Sequence, residues 1–215
     1  MVSNVIVRVS FLMSWRLKKH TLKKIKKTHA LCQNTHKTQP LYIKHTAHAL
    51  PTQMSSYVEF YRGTRFTIID PVGIYYLING ATDVELERHH GYIQWVFPLK
   101  EVSKSQPHSI DEVLTDEAIA ELLGDPEIEK RIRRITRRML RFWGIRYDKD
   151  GAAIENMDVF RAKLGCRSNH NQLRMTRMLT FLRHLGWDAD VDEIKPLLLN
   201  NTPKNSAAVR YWASV

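Results

Sequence analysis

The stretch DPEIEKRIRRITRRMLRFWG, residues 125–144, decides the reading of this chain. Asp125 followed by Pro126 places a side-chain acceptor at an N-cap and a proline at the first helical position, where its missing N–H costs nothing. Ile128, Ile132, Ile135, Met139 and Phe142 then recur at spacings of four, three, four and three, which puts one apolar stripe on one face of a helix. Lys130, Arg131, Arg133, Arg134, Arg137, Arg138 and Arg141 take the remaining positions, and Gly144 supplies the stop. A long amphipathic helix needs other helices or a sheet to cover its stripe.

The flanking segments supply helices. Upstream, Thr115 caps a helix that carries Asp116 and Glu117 in its first turn and stops at Gly124. Before it, Thr82 and Glu85 form a capping-box pattern that opens a helix expected to run to Pro98. Arg65–Ile69 has the composition of a strand but is cut by Asp70-Pro71-Val72-Gly73, and Ile74–Ile78 reads as a short helix. Downstream, a short helix is expected around Asp158–Leu164. Ser168 or Asn169 caps a second long helix, with Leu173, Thr176, Leu179 or Thr180, Leu182 and Leu185 inward and Gly186 at its end. Asp190–Leu199, disturbed by Pro196, and Asn205–Ala213 complete the series. Arg134–Leu140 and Arg174–Leu179 echo each other, which predicts two long helices packed as a pseudo-symmetric pair. The class expected is all-α, a single compact multi-helix domain over residues 54–215.

Residues 1–53 are different in kind. They hold ten Lys or Arg and no acid, leaving 23 Lys or Arg against 22 Asp or Glu in the remainder of a chain whose net charge is +11. The domain is therefore close to neutral, and the basicity belongs to the tail. Three readings of this low-complexity tail stand: a disordered polybasic arm touching nucleic acid or anionic lipid, an organelle-targeting segment, or an extension outside the native domain, with Met54 as the start. No apolar run approaches the roughly eighteen residues of a membrane-spanning helix. Cys32 and Cys166 lie far apart and make no disulfide framework, which suits a reducing, intracellular compartment, cytoplasmic or nuclear.

Motifs for chemistry are missing. The sequence has no Gly-x-Ser-x-Gly elbow, no phosphate loop and no dinucleotide fingerprint. His89 and His90 are adjacent, so on a helix their side chains diverge by about 100° and do not chelate one ion. Cys166 with His170 offers two ligands where a structural zinc needs four. The expectation is no enzyme, no catalytic residues, no cofactor and no metal. The cations of residues 130–141 could meet phosphates, with Trp143 stacking a base. Eight acids between Asp111 and Glu129 favour a different outcome, in which antiparallel packing neutralises both segments through interhelical ion pairs.

The most unusual string is Tyr92-Ile93-Gln94-Trp95-Val96-Phe97-Pro98-Leu99, a dense aromatic segment with a Gln that needs partners if it is buried. This string resembles the hallmark of the opioid growth factor receptor family. Support comes in order from Phe60-Tyr61-Arg62-Gly63, from Arg138–Ile145, from Asn169–Leu179 and from Val209-Arg210-Tyr211-Trp212, covering residues 57–215. The resemblance implies a receptor-like, non-enzymatic helical domain with an unknown peptide or protein ligand, enkephalin-like by family analogy. It also implies association with the nucleus or, peripherally, with membranes. The polar side chains in the motif positions, Tyr92, Gln94, Trp95, His170, Asn171, Arg174 and Arg177, are the expected ligand- or partner-binding set. Read as core instead, they would fix helix packing. Arg174 and Arg177 are the least comfortable as core.

Overall fold

The computed structural model describes residues 54–68, 72–102 and 112–215. The basic tail, residues 1–53, and the Asp70-Pro71 interruption fall outside them. Among the described residues the fold is mostly helical, with ten helices and one two-stranded hairpin. In chain order they are α1 (Ser56–Arg62), α2 (Ile74–Asn79), α3 (Asp83–Arg88), α4 (Tyr92–Val96), α5 (Asp116–Gly124), α6 (Pro126–Phe142), β1 (Ile145–Asp148), β2 (Gly151–Ile154), α7 (Met157–Lys163), α8 (His170–His184), α9 (Asp188–Asn201) and α10 (Ala207–Ser214).

Helix α6 forms as its sequence dictates. Asp125 accepts from the backbone N–H of Glu127 and Ile128, and Ile128, Ile132, Ile135, Met139 and Phe142 are all buried. Each such side chain contributes roughly 1.5–3 kcal/mol by leaving water. The helix packs against α1, α2, α5 and β1, whereas α8 packs chiefly against α7, α9 and α10. The two echoing helices therefore take different neighbours and do not form the expected pseudo-symmetric pair.

Four local expectations are corrected. The helix opened by the Thr82–Glu85 capping box ends at Arg88, and α4 starts afresh at Tyr92, because His89 leaves helical geometry (φ −81°, ψ 131°). Arg65–Ile68 forms no strand; the Thr67 N–H instead donates to the Val72 carbonyl, and the Thr67 hydroxyl accepts from the Val72 N–H. A hairpin follows α6, so the all-α class needs amending. In it Asp148 pairs with Gly151 across Lys149-Asp150, Gly151 has φ +96°, and the Asp150 N–H donates to the Asp148 side chain. Such Asp-Gly chemistry suits a tight hairpin loop. On α8 the inward face is Met175, Met178, Leu179 and Leu182, while Leu173 is 63% exposed. Helix α9 runs through Pro196, and the carbonyl that proline leaves without a donor belongs to exposed Asp192, where water can serve it.

Gly144 turns the chain from α6 into β1. Its φ is +80°, its carbonyl accepts from the N–H of Glu155 and Asn156, and a Cβ there would lie 2.5 Å from the Asn156 carbonyl oxygen and 2.9 Å from the Phe160 nitrogen. Both contacts are to backbone, which cannot swing away. Gly144→Ala is expected to cost roughly 2–4 kcal/mol of stability, read from urea unfolding midpoints.

Candidate functional site

The break between α3 and α4 is held by a side chain from α8. Arg174, only 4% exposed, donates from Nη1 to the Leu86 carbonyl at 2.8 Å and from Nη2 to the His89 carbonyl at 2.8 Å, with a longer contact to the Glu87 carbonyl at 3.5 Å. These are the orphan acceptors at the C-terminal end of α3, where the helix dipole also favours a cation. The guanidinium lies 5.6 Å from the Tyr92 ring centroid, and the Tyr92 hydroxyl donates to the Leu86 carbonyl at 3.1 Å. A buried charge is thus satisfied by carbonyls without a carboxylate of its own.

Asn171 extends the network. Its Oδ1 accepts from the Trp143 indole N–H at 3.2 Å and from Arg174 at 3.3 Å, and its Nδ2 donates to Glu87 at 3.1 Å. Its position follows from a capping box at the start of α8, in which the Asn169 side chain and Gln172 serve each other's backbone. Glu87 in turn meets His170 Nε2 at 2.8 Å and Lys163 Nζ at 3.5 Å. His90 Nδ1 lies 3.1 Å from Arg174 Nη2, which can only donate, so Nδ1 accepts and that ring is neutral with its proton on Nε2. The His90 and His170 rings stand 5.2 Å apart at the surface. Glu87 and His90 had no assigned role in the sequence reading; the acid just ahead of the His-His pair at a helix end was the available signal.

Of the seven expected residues, Tyr92, His170, Asn171 and Arg174 come together here. Gln94 does not join them: it is buried, and its Oε1 has no hydrogen-bond partner. Trp95 packs elsewhere, edge-on to Tyr57 at 6.1 Å and beneath Arg65 at 5.6 Å. Arg177 is near Tyr57 too, and the two influence each other's charge. It is half-buried, has no hydrogen bond or ion pair among the described residues, and its Nε is among the buried atoms left unpartnered there. Desolvation, offset in part by Tyr57, holds its guanidinium down at about 10.

The basic face of α6 is mostly consumed inside the domain. Arg131 donates to the Tyr61 carbonyl at 2.9 Å, Arg134 to Asn79 at 2.6 Å, and Arg138 to the Ala81 carbonyl and Asp83, both at 2.8 Å. Arg133 holds Glu129 at 3.0 Å and lies 4.0 Å over the Trp187 ring, and Lys130 reaches Glu127 at 3.6 Å. The expected ion pairs with the acids of α5 are not made: Asp116 is taken by Lys100 at 2.6 Å. Trp143 is fully buried and stacks no base.

Among the described residues no group of three or more His, Cys, Asp or Glu is placed to hold a metal ion. The membrane association carried by the resemblance is corrected here, since among the described residues no helix is long and apolar enough to cross a membrane. What fold and site define together is a mostly helical domain whose polar motif residues knit distant helices, with the desolvated Arg177 left unpaired among the described residues. Comparison with known proteins gives this class its family. The chain belongs to the opioid growth factor receptor family: the model of that receptor's conserved region matches residues 52–207. The human opioid growth factor receptor is 37% identical over 105 residues, which cover 47% of this chain and 15% of that protein. Opioid growth factor receptor-like protein 1 of the mouse is 36% identical over 108 residues, 49% of this chain and 22% of that protein, and that of Xenopus tropicalis is 36% identical over 113 residues, covering 48% and 20%. The chain thus spans no more than about a fifth of these curated relatives. No solved structure matches it.

Removing the Arg174 head strands three carbonyls. Arg174→Ala is expected to lower stability by about 3–5 kcal/mol in chemical denaturation, with Arg174→Lys in between, since an ammonium cannot span the same fork of acceptors.

The histidines add a pH dependence. Burial, then the Arg174 charge, holds His90 and His170 below the ordinary imidazole value of 6.5, with Glu87 opposing. The unfolded chain therefore binds protons at higher pH than the folded one, so their contribution is complete above about 6.5 and is lost as pH falls through the folded values. Melting temperature is expected to drop between pH 7 and 5, and a His90→Gln/His170→Gln variant to drop less. His184, also lowered by burial and then by Lys100, leaves a residual slope.

Proposed function

We propose that this chain is a non-enzymatic, receptor-like domain that binds a peptide or protein partner, with Arg177 as the group that meets it. Arg177 carries the reading. A guanidinium withdrawn from water without an acceptor is costly, and a carboxylate or carbonyl brought by a partner would relieve that cost. Its neighbour on α8, Arg174, shows what a satisfied arginine looks like in the same fold. The human relative's name is that of an opioid growth factor receptor, and the family analogy drawn from the sequence makes an enkephalin the first ligand to test. His170, on the exposed side of the Arg174 network, is a second contact; Tyr92, Asn171 and Arg174 position it from within.

The compartment proposed is the cytoplasm or nucleus, a reading supported by the free thiol of Cys166. Association with nucleic acid through the whole Lys130–Arg141 face loses ground to the internal bonds that most of those cations make.

Titration calorimetry of the full chain with an enkephalin bearing a free C-terminal carboxylate, and with its amide, tests the proposal. The carboxylate form is expected to bind at least about tenfold more tightly, and Arg177→Gln to erase the difference. Equal binding of both forms, or none of either, overturns it.

A further inference from the structure

Two cations of α6 escape the internal accounting, and the structure gathers others beside them. Arg137 and Arg141 lie one helical turn apart and have no hydrogen bond or ion pair among the described residues. They line a cleft of about 370 Å³ between α6 and the hairpin, together with Arg146 and Lys149. A smaller hollow of about 200 Å³ shares Arg137, Tyr147, Asp148 and Lys149 with it, so the two make one groove.

Its charges sum to a surplus. Asp148 is bonded to Arg146, and Asp190 lies 3.8 Å from Arg133 and accepts from the Tyr147 hydroxyl at 2.5 Å. Among the lining residues Arg133, Arg137, Arg141, Arg146 and Lys149 stand against Asp148, Asp190 and Glu155, a formal excess of two positive charges, with Arg133 also held by Glu129 outside the groove. A second observation is independent of charge. Thr136, 3% exposed, lines the smaller hollow, and its Oγ1 has no hydrogen-bond partner, not even the helical carbonyl a threonine can reach. Buried hydroxyls are almost always paired, so this one marks a place for an acceptor or donor brought from outside. Two guanidiniums at one-turn spacing, an ammonium and a waiting hydroxyl are donors in the number and sign that a phosphate oxyanion takes.

We propose that the groove between α6 and the hairpin binds the phosphoryl group of a small phosphate ester, with Arg137, Arg141 and Lys149 balancing its charge and the Thr136 hydroxyl joining it. The groove shares no residue with the Arg177 contact and does not depend on it. Its size admits one phosphorylated small molecule.

Thermal unfolding of the full chain in inorganic pyrophosphate, against chloride at matched ionic strength, is the test. The melting temperature is expected to rise by roughly 3 °C or more at a ligand concentration tenfold above Kd. Arg137→Gln/Arg141→Gln is expected to weaken binding at least about tenfold, and Thr136→Val, which keeps shape and charge, about fivefold. Arg161→Gln/Arg167→Gln, removing the same charge from α7 and the loop after it, should bind as the unchanged chain does. Adenosine monophosphate and phosphoserine put the phosphomonoester on different carriers, and tighter binding of one names the source. No thermal shift, an equal loss in the control, or binding of a single-stranded oligonucleotide without any binding of the small phosphates overturns the proposal.

Discussion

The guanidinium of Arg174 does at the end of α3 what water does at most helix ends. The carbonyls of Leu86, Glu87 and His89 point into the interior, where leaving them unpaired would be costly. One planar head with several donors satisfies them together, and the positive end of its field meets the negative end of the helix. That allows α3 to stop inside the protein, so the chain can turn at Gly91 and send Tyr92, Ile93, Trp95 and Val96 into the core from a new direction. Asn171 ties the same point to the end of α6 through Trp143. Three segments remote in sequence therefore share one anchor.

The anchor shapes how charge is distributed. With Arg174 buried on carbonyls, Glu87 is left to His170, Lys163 and Asn171. On α6 the same economy operates: carbonyls of Tyr61 and Ala81 and the amide of Asn79 take cations that a sequence reading would pair with acids. Arginine serves this better than lysine because its fork reaches several acceptors while its stem covers apolar surface. A helix that looks like a polyanion-binding face is thereby turned into a set of struts, with Arg137 and Arg141 as the remainder.

Much of this was legible where the signal is local. Asp125-Pro126, the Thr82–Glu85 box and the five-residue stripe of α6 depend on neighbours within a turn or two, and each forms as written. The break after Arg88 was not legible, because the cap that permits it comes from a residue 85 positions away. Hydrophobicity alone places Leu173 inward, yet the face is set by Asn171 and Arg174, which a polarity count assigns to solvent. The hairpin leaves little trace in the sequence because four-residue strands carry too little alternation, although Asp-Lys-Asp-Gly has the composition of a loop. Arg174 and Arg177 both read as uncomfortable core, and nothing in the sequence separates them.

Their separation is a matter of what lies opposite on the fold. Residues three apart on a helix point about 60° apart around its axis, enough for one to face the end of α3 and the other Tyr57. Arg174 finds carbonyls aimed at it, and its charge is matched in place. Arg177 finds a phenol whose hydroxyl already donates to the Glu112 carbonyl, and burial lowers its proton affinity with only Tyr57 opposing among the described residues. A fold can keep such a group only if other contacts outweigh its desolvation. The Tyr57–Trp95–Phe60 cluster supplies that surplus, since each ring buries a large area and meets its neighbour edge-on or tilted. The cost at Arg177 is therefore carried by the aromatic core beside it, since among the described residues no acceptor meets its Nε.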